Sequence, residues 1–225
     1  MNRAILSLAV AMFSCAPVIP ALAQAPRQIN PTEFPAQGTS AQAFVPKGWK
    51  IETKVEGDLN GDRKSDAVLQ LIQTDAAAFE PGRAPRVLLV LQKQSNGQWQ
   101  RVSFAPRLLL CEKCGGMLTS IQTKIENGVI LVDQLQGSRD AMQTLHRFWI
   151  DKATNRIVLI GLDVRSFDRL TGDETIESSN FLTGEKTTEQ KRPNQPSKIG
   201  SALRAVRIPK VTPPIETVDI AAIGR

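Results

Sequence analysis

The strongest constraint on this chain is a repeated hairpin rhythm. In RVLLVLQK-QSNGQ-WQRVSF, Arg86 to Phe104, two strand-like runs flank a turn built on Asn96 and Gly97. The pattern returns in SIQTKIE-NG-VILVDQLQG, with Asn127-Gly128 at the tip. It returns again in LHRFWID-KATN-RIVLIGLDVRSFD, and in ETIESSNFLTGEKTTEQKR with Thr183-Gly184 at the turn. Upstream, WKIETKVEGD alternates and SDAVLQLIQ is almost wholly apolar. Alternation with a period of two, broken by Asn-Gly or Gly-bearing turns, is the signature of antiparallel strands joined locally. No stretch between 44 and 190 carries a sustained helical period. DAAAFEPGRAP has room for one helical turn before Pro81 and Pro85 end it. The sequence predicts an all-β domain over 44–190, an antiparallel meander of about eight to eleven strands in one curved, blade-like sheet or two packed sheets.

The flanks differ in composition. Residues 1–23 place Arg3 before an apolar run that ends in Ala21-Leu22-Ala23, the pattern of a cleaved signal peptide. The run is short for a membrane span and is interrupted by Pro17 and Pro20, and no later segment is apolar enough to cross a bilayer. The expectation is an exported, soluble protein, periplasmic or secreted. Residues 24–43, rich in Pro, Gln, Ala and Thr, read as a flexible lead-in. Residues 191–225 read as a basic, Pro-rich C-terminal arm, mostly solvated. Lys186, Lys191, Arg192, Lys198, Arg204, Arg207 and Lys210 face only Glu185 and Glu189 in that part of the chain, which carries most of the formal +6 charge. A basic segment without an aromatic residue to stack on bases points away from nucleic acid and toward an unknown protein or an anionic envelope component.

The stretch GDLNGDRKSD, Gly57 to Asp66, spaces oxygen-bearing residues as a cation-wrapping loop does. Ca²⁺ takes hard oxygen ligands from carboxylates, amides and main-chain carbonyls. Asp58, Asn60, Asp62, the Lys64 carbonyl and Asp66 occupy alternating positions, and three carboxylates in nine residues repel one another unless solvent or a cation compensates. The same residues could instead cap main-chain amides in a polar turn. A helix-loop-helix hand is excluded, because its twelfth position, a bidentate Glu, is Leu69 here. D-L-N-G-D-R-K-S-D followed by AVLQL resembles the calcium loops of FG-GAP and VCBS repeats, found in integrin-type propeller blades. That resemblance spans 57–73 and implies a weak Ca²⁺ site formed by Asp58, Asn60, Asp62, Lys64 and Asp66. The family has Gly where this chain has Arg63, a position where the backbone turns left-handed. A single such loop, with too few strands for several blades, argues against a closed propeller.

Cys111 and Cys114, the two cysteines downstream of the leader, sit in RLLLCEKCGGM. A structural disulfide, a redox-active pair and half of a zinc site are the three readings; no second CxxC is available to complete the zinc site. His146 lies on a strand with Phe148 and Ile150 on the same face, the setting of a packed histidine. Asp133, Asp140, Asp163 and Asp168 are not paired at a spacing diagnostic of catalysis. No phosphate-binding glycine loop or nucleophile elbow is present. An exported β-rich binding protein with one calcium loop is therefore expected ahead of an enzyme, with a periplasmic thiol-redox protein as the alternative.

Overall fold

A computed structural model describes residues 29–75, 79–116, 118–193 and 203–223. The leader expected at 1–23 lies outside these residues, as do the first part of the lead-in and residues 194–202 of the arm. The described chain contains strands β1 (Gln37–Gly38), β2 (Trp49–Gly57), β3 (Asp66–Gln73), β4 (Arg86–Lys93), β5 (Trp99–Ala105) and β6 (Ser120–Glu126). It continues with β7 (Val129–Gly137), β8 (Asp140–Asp151), β9 (Arg156–Asp168), β10 (Glu174–Asn180), β11 (Glu185–Lys191) and β12 (Arg204–Arg207). The remaining regular elements are short 3-10 turns. The all-β reading holds, with the strand count slightly above the expected range because β1 and β12 come from the flanks.

Two antiparallel sheets form. The first has the order β1-β5-β4-β3-β2 and the second β12-β11-β10-β9-β8-β7-β6, and neither closes on itself. Every sequence-predicted hairpin is present. Asn127 and Gly128 both adopt positive φ, 52° and 76°, as the tight turn between β6 and β7 requires.

The apolar runs determine the layering. β3 and β4 are buried on both faces, so they need cover on both. On the inner face Val68, Leu88 and Val90 meet Ile130, Val132 and Phe148 of the second sheet. On the outer face Leu69, Leu71, Leu89 and Leu91 have no second sheet. They are covered by Phe34, Phe44, Trp49 and Phe104.

That cover corrects the expectation of a flexible lead-in from 29 onward. Phe34 is 1% exposed and Phe44 0%. The Phe34 ring lies 5.2 Å from Trp49 and 4.9 Å from Phe104, centroid to centroid. β1 pairs with β5, and the Arg101 guanidinium donates to the carbonyls of Pro31, Phe34 and Pro35. Burying a phenylalanine contributes about 1.5–3 kcal/mol, enough to hold a Pro-rich segment whose chain entropy is already restricted.

The arm stays exposed over Arg204–Arg207, as a solvated tail would, but it is paired there and packs inward from Ile215 onward. β12 extends the second sheet at β11. The Leu159 amide donates to the Pro213 carbonyl, and Ile215 (0% exposed), Val218 and Ile220 turn inward. Ile215 and Val218 join the inter-sheet core, and the Ile220 amide donates to the carbonyl of Arg107 after β5. The arm is thus a strap from one sheet to the other. Its apolar residues Ile215, Val218 and Ile220 were the available signal, obscured by Pro209, Pro213 and Pro214 just before them.

Candidate calcium loop and the inter-sheet connector

The loop between β2 and β3 is folded around its own carboxylates. Asp58 accepts from the amides of Asn60, Gly61 and Arg63 at 3.2, 2.7 and 2.8 Å. Asn60 Oδ1 accepts from the Asp62 amide at 2.9 Å, and Asp62 Oδ1 from the Lys64 amide at 2.8 Å. Arg63 has φ 66°, the left-handed conformation read from its place in the loop pattern. A non-glycine residue there costs about 1–2 kcal/mol, offset by the amide bond that Arg63 gives to Asp58.

Asp66 differs from the other acids. It is 0% exposed, at the first position of β3. Its two oxygens accept from the amides of Leu59 at 3.0 Å and Lys93 at 2.9 Å, which ties the loop to the β4–β5 turn. Burial pushes its carboxyl pKa up, the two amides oppose that, and the charges of Asp62 and Asp58 push it up further. Asp62 moves down, chiefly through the Lys64 amide, and its second oxygen meets Lys64 Nζ at 3.2 Å.

The donor set suits a hard cation. The oxygens are carboxylate and amide, and each bonded oxygen other than Asp58 Oδ1 accepts a single N–H, leaving a lone pair. The side chains nonetheless spend their present bonds on the loop's own amides. Among the described residues no three acidic, Cys or His side chains gather closely enough to form a metal cluster.

Cys111 and Cys114 form a disulfide. They sit in the connector from β5 to β6, which is the passage from the first sheet to the second. Leu110 N donates to Gln134 Oε1 and Gln134 Nε2 donates to Leu108 O, both at 2.9 Å. The amides of Glu112 and Lys113 donate to Ala84 and Gly82, and the Gly137 amide donates to Gly115 O. The connector is therefore bonded to both sheets. Cys114 is exposed, whereas Cys111 is half-buried.

One polar cluster escaped the sequence reading. Ile51 and Thr53 flank a β-bulge in β2, so Glu52 is the extra residue. Its carboxylate accepts from Arg86 Nε at 2.6 Å and Nη2 at 2.7 Å, and from Gln70 Nε2 at 2.6 Å. Arg86 Nη1 also reaches the Leu110 carbonyl at 3.0 Å. Burial raises the Glu52 pKa, but the Arg86 and Gln70 bonds outweigh it and the net shift is downward. The three residues lie far apart in sequence, and a bulge leaves no mark on a strand that seems to alternate.

The remaining titratable candidates do not form a catalytic group. His146 is 0% exposed, has no hydrogen-bond partner at either ring nitrogen and stacks on Phe148 at 6.0 Å. Burial lowers its pKa to about 4; the nearby Val132 main chain opposes this weakly but does not meet hydrogen-bond geometry with either ring nitrogen. A ring so enclosed has no route to a substrate. Asp133 accepts from Gln143, Asp163 from Arg147 and Ser178, and Asp168 from Arg139, so each is tied to different neighbours on the second sheet. Asp140 stands at the start of β8, beside the connector cleft. Among the described residues no helix is long and apolar enough to cross a membrane. Comparison with protein families, curated proteins and solved structures finds no match, so the site is read from its own geometry.

Proposed function

We propose that this chain is an exported β-rich interaction module in which the loop 58–66 is a weak structural Ca²⁺ site. The observation that carries the reading is the electrostatics of Asp66. A fully buried carboxylate lies in the field of Asp58 and Asp62, and both raise its proton affinity. A divalent cation held by Asp58, Asn60, Asp62, the Lys64 carbonyl and Asp66 relieves that repulsion and fastens β2 to β3. Lys64 paired with Asp62, and Arg63 in a left-handed conformation, both weaken the site. The expected affinity is that of extracellular modules, with a dissociation constant on the order of 10⁻⁴–10⁻³ M.

The proposed partner is an anionic envelope component, supported by Arg204, Arg207 and Lys210 on the exposed outer edge of the second sheet. Thermal melting with several millimolar Ca²⁺, and then with chelator, tests the loop. Binding to the native state alone raises stability by about 1.4 kcal/mol at ten times the dissociation constant. Asp62→Ala abolishes the shift. No change in melting temperature across that range disproves the metal site.

A further inference from the structure

The disulfide is not the connector's sole brace. Leu110, Glu112 and Lys113 are already held to Gln134, Ala84 and Gly82, and Gly115 is held to Gly137. A cross-link between residues three apart closes a very short loop and contributes about 2 kcal/mol through the unfolded chain, less than a bridge across a long loop. Its placement suits chemistry better. Cys114 is exposed at the rim of a cleft of ≈ 730 Å³, whose other walls include Leu118, Met142 and Gln136. Leu118 is 47% exposed there. Gly116, φ +83°, lines the same cleft.

We infer that the Cys111–Cys114 disulfide is a two-electron acceptor for cysteine-bearing peptides whose apolar side chains seat in the adjoining cleft. A peptide thiolate attacks Cys114 Sγ, the accessible sulfur. The S–S bond breaks and its electron pair leaves on Cys111 Sγ, which takes up a proton. A second thiolate of the same peptide then attacks the peptide sulfur of the mixed disulfide and releases Cys114 as a thiolate. The peptide leaves as a disulfide and the protein as a dithiol, so thiols and electrons balance in one turnover. The calcium loop, which joins β2 to β3, contributes no residue to this cleft.

The test uses the full oxidised protein and two synthetic dithiol peptides, each a Cys-Gly-Cys core, flanked by leucine in one and by serine in the other. Seating a leucine against Leu118 and Met142 makes the leucine peptide react about tenfold faster. Leu118→Asp removes that preference and leaves the slower reaction with glutathione unchanged. In the reverse direction, Cys111→Ser traps the oxidised leucine peptide as a mixed disulfide on Cys114. Cys114→Ser, with only the half-buried Cys111, traps at least about tenfold less. Equal rates for the two peptides, a Leu118→Asp variant that keeps the preference, or equal trapping by the two serine variants would overturn the inference. Circular dichroism of each variant confirms that the sheets are intact.

Discussion

His146→Leu is expected to make the protein more resistant to acid. The wild-type ring is enclosed between Val132 and Phe148, with both nitrogens unpartnered and a folded-state pKa of about 4 against 6.5 for the free side chain. The folded state excludes a proton that the unfolded chain binds. Stability therefore falls as pH drops through 6.5, and the loss is complete only below about 4. At 1.36 kcal/mol per pH unit, the histidine alone removes about 2 kcal/mol between pH 7 and pH 4.5. Thr123 and Thr144, its polar neighbours on the inner face of β6 and β8, are hydroxyls and do not titrate in this range. The carboxylates held low, among them Glu52, Asp163 and Asp168, lose their contribution at more acidic pH, and Asp66, held high, acts in the opposite sense. All four are common to both proteins and cancel in the comparison. Leucine carries no proton and buries no orphan nitrogen, so the variant also gains about 1 kcal/mol at pH 7. Urea unfolding followed by tryptophan fluorescence at pH 7, 6, 5 and 4.5 measures both effects. Parallel losses of stability in the two proteins would show that the ring is hydrated or bonded in the folded state and would refute the reasoning.

Other substitutions probe the remaining features. Arg63→Gly removes the left-handed strain at φ 66°; it should stabilise the loop by about 1 kcal/mol and tighten any Ca²⁺ response, as read by melting with and without the ion. Arg86→Leu leaves the partly exposed Glu52 without its bidentate partner; a loss of about 2 kcal/mol is expected in urea titration, and Glu52→Leu added to it should recover part of that. Ile215→Ala opens the inter-sheet core at the strap and should cost about 3 kcal/mol by the same measurement, whereas Val211→Ala, at an exposed site, should cost under about 0.5 kcal/mol.

What was legible in the sequence was local. Hairpins were legible because their turns require positive φ, and Asn127-Gly128 advertises it. The left-handed turn at Arg63 was legible only through the loop resemblance, in which that position is Gly. The Pro-rich flanks misled because local composition reports chain stiffness and polarity, not what an apolar sheet face elsewhere demands. β3 and β4 are apolar on both faces, and that was the sign that something besides the second sheet must cover them; Phe34 and Phe44 were the available rings. The Glu52–Gln70–Arg86 cluster could not be read, because it is made by register between three strands.

The bulge at Glu52 has one more consequence. In an unbroken strand, residues four apart face the same way. In β2, Trp49 and Ile51 pack on the outer core while Val55 packs on the inner one. The extra residue reverses the parity of the strand midway, so one strand supplies side chains to the cores on both faces of its sheet. Removing Glu52 altogether would restore a regular ladder and send either half of β2 to the wrong core, an error that no single substitution in this strand can produce.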